Sequence, residues 1–217
     1  MKLIVVGFTM ALVGDQDIAK YEKRRYGTPD QKLVDRLEQA RVDDIIRSLE
    51  LAEVRVLDAP CGYGRFSTVF ASHGTKIICA DVSAAMVGRA RERIAEEGHR
   101  GMYVVMDIRH LPFKANAVEA TFTMRLFHHG FARDEMAVIL KELARVTRRW
   151  VILSYYRHNA LHAFFRRLKG FSSRIKMMTD EEFFAEVKAA PLAVRSRRPV
   201  FPFLHAQTLV VMEKIIL

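Results

Sequence analysis

Cysteine is nearly absent from this chain: its 217 residues include only Cys61 and Cys79. That count excludes a disulfide scaffold and suits a reducing compartment. Long hydrophobic runs are missing too, since no apolar stretch approaches the roughly 20 residues that a membrane-spanning helix requires. Histidines and cysteines do not recur at metal-ligand spacing, and His128-His129 is too close a pair to share one ion from one face of a strand, so no metal is expected. There is no internal repeat and no low-complexity linker. Half of the residues are hydrophobic, which is enough to build a full core and excludes a disordered or collagen-like chain. The length fits one domain.

Acidic residues are the other shortage. The formal net charge is +10. Up to Trp150 there are 24 Lys and Arg against 20 Asp and Glu; from Val151 onward there are 11 against 5. Within that tail Arg157, Arg166, Arg167, Lys169, Arg174 and Lys176 fall in one acid-free stretch, interleaved with Phe164, Phe165 and Phe171. Such a mixture is either a solvated helix with its rings turned inward or a surface for an anionic partner: nucleic acid, lipid or small molecule. The opening run from Leu3 to Gly14 is apolar but follows a single lysine, and its only cleavage candidate is Thr9-Met10-Ala11. It reads as an apolar arm packed on the domain or on a membrane rather than as a signal peptide.

Periodicity gives an alternating pattern. Leu33, Leu37, Ile45, Ile46 and Leu49 lie at helical spacing between Asp30 and Glu50, with Pro29 as a start signal. Strands are predicted at 54–57, 76–80, 102–106, 118–124 and 150–155. Helices are predicted at 65–72, from Ser83 to about Glu97, at 135–146, and from a Thr179/Glu182 capping box to Ala189. Two final strands, 193–200 and 208–216, lack a crossover helix and must be antiparallel. The expected fold is α/β: a doubly wound, Rossmann-like, seven-stranded and mostly parallel sheet with an antiparallel last strand, its ligands at the carboxyl ends of the strands.

The decisive segment is Val54-Arg-Val-Leu-Asp-Ala-Pro-Cys-Gly-Tyr-Gly-Arg65. A strand ending in an acid, then a glycine turn into a helix, lets backbone N–H groups approach a ligand closely. It is not a dinucleotide loop, because Ser67 stands where the third glycine would be and Asp58 would repel a pyrophosphate. An acid there suits a cationic amino group. Taken alone, Asp58 and Asp81 would read as caps at strand ends, and Cys61 and Cys79 as small buried fillers.

This segment resembles motif I of the class I S-adenosylmethionine-dependent methyltransferases, in their small-molecule branch. Asp81 matches the acid that takes the two ribose hydroxyls, and Asp107 in Met106-Asp-Ile-Arg-His-Leu-Pro-Phe113 matches the acid near the adenine amino group. Ala120-Thr-Phe-Thr-Met-Arg-Leu-Phe-His-His129 is similar to motif IV, and Glu142-Leu-Ala-Arg-Val146 to the next landmark. Two departures stand out: Pro60 replaces the first glycine of motif I, and the Lys-Pro-Gly-Gly turn of the ubiquinone and menaquinone enzymes is missing after Arg145.

The resemblance implies S-adenosyl-L-methionine as cofactor. Asp58, Ala59, Gly62 and Gly64 would line its methionine end, Asp81 and Val82 would hold ribose and adenine, and Met86, Asp107 and Ile108 would bound the adenine. The Arg125 carbonyl would face the sulfonium, and Tyr21 or Arg25 would touch the cofactor from the N-terminal arm. His128 or His129 would be the base if the acceptor is a hydroxyl; either could instead pack on substrate or a loop.

A single domain over 1–217 is expected, with an arm and lid helix (1–50), a cofactor core (51–155), a basic acceptor-side insertion (156–178) and a C-terminal helix with a strand pair (179–217). The expected activity is direct methyl transfer to a small or lipid-linked acceptor, anionic or amphiphilic, by a cytoplasmic protein with peripheral membrane contact. The alternatives are an RNA or protein methyltransferase using the basic tail, or a cofactor-binding scaffold without catalysis. Thr121-Phe-Thr-Met-Arg125 differs from the Asn/Asp-Pro-Pro-Tyr sequence of amino-methylating nucleic acid enzymes, which makes nucleic acid the weaker choice.

Overall fold

The computed structural model describes residues 27–127, 131–158, 177–201 and 206–215. Helix α1 (Pro29–Ser48) leads into β1 (Arg55–Asp58), α2 (Arg65–Ser72), β2 (Lys76–Asp81), α3 (Ala84–Glu96) and β3 (Met102–Val105). Then follow β4 (Val118–Thr123), α4 (Arg133–Val146), β5 (Thr147–Tyr156), α5 (Asp180–Val187), β6 (Leu192–Pro199) and β7 (Gln207–Lys214). The seven strands form one sheet in the order β3-β2-β1-β4-β5-β7-β6. Strands β1 to β5 pair in parallel, and β7 lies antiparallel between β5 and β6. The α/β, doubly wound, mostly parallel sheet read from the sequence is the fold observed.

Strand alternation sorts the core into two layers. Val56, Ile77 and Cys79 face α1, α2 and α3, packing with Val42, Ile45, Ile46, Phe70, Ala90 and Ile94. Leu57, Ile78 and Ala80 face the other way, toward Ile139, Leu140 and Leu143 of α4 and Phe183 of α5. Because both faces are covered, the parallel strands read as apolar runs rather than as alternating ones.

Local signals act where the sequence places them. Ser83 Oγ accepts from the Met86 N–H at the start of α3, and Thr179 Oγ1 accepts from the Glu182 N–H at 3.1 Å while Glu182 accepts from the Thr179 N–H at 2.8 Å. Two details differ from expectation. Leu33 is 55% exposed, and the buried stripe of α1 runs through Glu38, Val42, Ile45 and Ile46 instead. Strand β5 begins at Thr147 rather than Trp150, directly after α4, where the buried Thr147 and Thr121 hydroxyls meet at 3.0 Å.

Candidate active site

The parallel strands deliver Asp58 and Asp81 to neighbouring positions at their carboxyl ends, since Asp58 pairs with Cys79 two residues short of Asp81. Asp58 is 1% exposed and accepts from Ser67 Oγ at 2.5 Å. Burial pushes its carboxyl up, to about 7, with the nearby Asp81 charge acting in the same direction and Ser67 and Arg65 against it. Asp81 accepts the Gly62 N–H and the Ser83 N–H, both at 3.0 Å. Its carboxyl is also raised by burial, which those backbone donors partly offset.

The turn between the two acids is pinned on both sides. The Ala59 N–H donates to the Phe122 carbonyl at 2.9 Å, the Cys61 N–H to the Ala80 carbonyl at 2.8 Å, and Thr123 Oγ1 to the Ala59 carbonyl at 2.8 Å. The Ala59–Pro60 peptide is cis. Gly62 has φ +52°, and a Cβ built there would meet nothing within 4 Å. That open side, beside two buried carboxylates, is where a ligand can approach the backbone. Gly64 has a packing role as well: at φ +82° its absent Cβ would lie 2.9 Å from the Ala90 Cα, so glycine there lets α2 pack against α3. The sequence reading put both glycines beside the ligand; the space on the Cβ side of Gly64 is filled by the fold itself.

The remaining expected positions are arranged as follows. Met86 is buried and packs with Tyr63, Val82 is 66% exposed, and Ile108 packs against the α4-side core. Asp107 is gripped by Arg109, whose Nε lies 3.0 Å from each carboxylate oxygen, and that pairing holds its carboxyl below the usual range. Arg125 has φ +58°, its N–H donates to Ser154 Oγ at 2.8 Å, and its side chain turns toward α1. Tyr21, Arg25, His128 and His129 lie outside the described residues.

Two features were missed by the sequence reading. Ser67 was noted only as a glycine that is not there, yet its hydroxyl holds Asp58. Glu38 is wholly buried in α1 and takes Arg125 on one carboxylate oxygen, with the Nε at 3.1 Å, and Arg65 on the other at 2.7 Å. Arg65 also pairs with Asp35. Burial would raise the Glu38 carboxyl, but the two guanidinium groups outweigh it and keep it below its ordinary value. The available signal was a charge inside an apolar stripe, which demands a partner. This triad ties α1 to the first residue of α2 and to the residues after β4, on both flanks of the turn.

The residues present fit the cofactor that the sequence resemblance implies, with buried acids for an amino group and a diol around an open backbone cradle. Among the described residues, no group of three His, Cys, Asp or Glu side chains is placed to hold a metal. A cavity of about 460 Å³ lined by Glu53, Arg55, Lys76, Glu119 and Arg148 opens at the opposite, amino ends of the strands.

Comparison with known proteins agrees with this arrangement. The methyltransferase domain family matches residues 56–149. The chain is 32% identical over 93 residues to a malonyl-[acyl-carrier protein] O-methyltransferase of Hamiltonella defensa, a match covering 43% of this chain and 33% of that protein. The corresponding enzyme of Pectobacterium atrosepticum is 30% identical over 102 residues, covering 47% and 38%. The chain therefore matches little more than a third of these relatives. Among solved structures, magnesium protoporphyrin IX methyltransferase from Synechocystis, with bound SAH, superposes with a TM-score of 0.74 at 19% identity, over 90% of this chain and 93% of that one, a likeness of fold. The segment that matches the methyltransferase domain family, residues 56–149, runs from β1 to the start of β5 and carries the acids at the ends of β1 and β2.

Proposed function

We propose that the protein transfers a methyl group from S-adenosylmethionine to a small or lipid-linked acceptor by direct displacement. The observation that carries this reading is the pair of buried acids, Asp58 and Asp81, flanking the open backbone of Gly62 at the carboxyl ends of β1 and β2. When bound, the cofactor supplies an activated methyl group, so the protein's work is alignment and exclusion of water. Asp58 meets the cationic amino end, Asp81 the ribose diol, and Met86 with Ile108 the apolar edges of the adenine. Asp107 reaches that adenine once Arg109 yields one of its contacts. The curated relatives act on a malonyl group carried by a protein, which supports an acceptor with a carboxylate or another oxygen nucleophile. For a hydroxyl acceptor, His128 or His129, which follow Phe127 in the chain, act as base, and Tyr21 or Arg25 closes over the cofactor from the arm.

The reading also includes a cytoplasmic protein with peripheral membrane contact. What supports the membrane contact is the basic aromatic stretch, and no helix of the described residues is long and apolar enough to cross a membrane.

The test is calorimetric titration with S-adenosylhomocysteine, followed by a labelled-methyl assay on an extract of the source cell. Saturable binding and a labelled product below protein size are expected. Absence of binding would overturn the reading; label in RNA or protein would move the acceptor to a macromolecule.

A further inference from the structure

At the other end of the sheet's carboxyl edge, Tyr155 is the last residue but one of β5, Thr208 the second of β7, and Pro199 closes β6. The three lie in one row, because Tyr155 pairs with Thr208 and Thr208 with Pro199. With Arg157, Arg197 and Asp180 they line a cavity of about 130 Å³. That is a few times the roughly 30 Å³ share of one water molecule, and so room for a carboxylate or a phosphate group.

The floor is rigid. Tyr155 is 1% exposed, stacks on Phe183 with ring centres 4.1 Å apart and planes 6° from parallel, and donates its hydroxyl to Asp180 Oδ1 at 2.6 Å. Burial and that carboxylate push the Tyr155 hydroxyl well up, so it remains a donor. The same carboxylate takes Arg157 Nε at 2.9 Å and Arg197 at 2.8 Å. Arg197 also rests over the Phe184 ring at 5.5 Å. One acid between two guanidinium groups leaves a formal positive charge at the mouth, where the two arginines are 59% and 52% exposed. Of the other nearby acids, Glu181 is exposed, and Glu182 turns back to cap its own helix. Neither 159–176 nor 202–205 contains an acid in sequence.

The register also gives the distance to the methyl-transfer centre. Asp58 pairs with Phe122 and Phe122 with Ile152, so Tyr155 lies three residues farther along and two strands across. That is roughly 10 Å in each direction. We infer that this cavity binds the far end of the acceptor, with Arg157 and Arg197, braced by Asp180, taking an oxyanion, a carboxylate or a phosphate monoester. The inference rests on the methyltransferase reading for its direction, not for the binding itself. The planar guanidinium fork suits both oxyanions.

The test uses the full chain at constant ionic strength and measures melting temperature and calorimetric binding with inorganic phosphate, acetate or chloride. A saturable response to phosphate or acetate, absent with chloride, is expected, and whichever anion binds names the chemistry. The double variant Arg157→Gln/Arg197→Gln should weaken it at least tenfold, while Arg195→Gln, the same charge loss at an arginine outside the cavity, should leave it unchanged. If the double variant does not fold, Arg197→Lys serves in its place and should weaken binding severalfold while keeping the charge. Equal responses to all three anions, or equal losses in the Arg195 variant, would mean simple screening and overturn the site. S-adenosylhomocysteine binding, measured in parallel, separates the two claims: cofactor binding without anion binding removes only the cavity, and the reverse removes only the methyltransferase reading.

Discussion

Glu38 and Asp180 are each held between two arginines, and burial sets them apart. Glu38 lies between Arg65 and Arg125 with 0% of its side chain exposed, and its partners are 8% and 14% exposed. Asp180 lies between Arg157 and Arg197, with 23% of its own side chain and more than half of each arginine in water. Each carboxylate meets two guanidinium groups, although Arg65 also pairs with Asp35. In the first case all three groups have left water, each must be matched inside the protein, and the triad becomes a strut between α1 and the cofactor turn. In the second, solvent screens the pairs, so little stability rests on them and the outer faces of the guanidinium groups stay open to a new anion.

The strongest way to break this contrast is Glu38→Ala, which takes the buried carboxylate from Arg125 and Arg65 and leaves Arg65 its pairing with Asp35. It should cost about 3 kcal/mol in denaturant unfolding. A loss near zero would show that the buried triad is no strut. Next comes Gly64→Ala, which forces a methyl group against Ala90 at a positive φ. About 2 kcal/mol of destabilisation is expected, with weaker cofactor binding following from the shifted turn. Gly62→Ala has free space and should affect affinity more than stability, so the ratio of the two effects sharpens the distinction between the glycines.

Asp58 supplies a pH-dependent comparison. Its carboxyl moves from 3.8 to about 7, so its contribution to stability is full below 3.8 and is lost as the pH rises through 7. Cofactor affinity should run the other way if Asp58 meets the cationic amino group as proposed, improving about tenfold from pH 6 to pH 8. Asp58→Asn, uncharged throughout, should flatten both curves and be more stable than the parent at pH 8 while binding cofactor less well. Parallel melting and titration series would show it, and an unchanged pH profile in the variant would assign the titration to another group. The smallest effect belongs to Asp180→Asn, about 1 kcal/mol or less and shrinking with salt.

What could be read in advance follows the range of the interaction. Helix α2 and the Thr179–Glu182 cap came from signals a few residues long, and the parallel order came from the alternation of elements. The acids at 58 and 81 were legible because the chain that follows each strand names the turn. Glu38 was not, because its partner Arg125 is 87 residues away and a glutamate in a helix ordinarily reads as solvent-facing. Ser67 was misread as an absence for a related reason, since its partner sits on the strand before the turn. The insertion of β7 between β5 and β6 lay beyond periodicity as well: pairing in a hairpin can be inferred locally, but the choice of the outer neighbour cannot.

That reversed strand has a consequence for how the protein can change. Every other strand of the sheet brings its end to the working edge, whereas β7 brings its beginning, so Thr208 arrives beside Tyr155 from far along the chain. On the proposed reading the acceptor edge is drawn largely from the last third of the molecule, while the described positions assigned to the cofactor, from Asp58 to Arg125, all precede α4. In that reading, substitutions or exchanges in the C-terminal segment alter what is methylated without touching the acids assigned to the methyl donor, and the two specificities can drift independently within one continuous sheet.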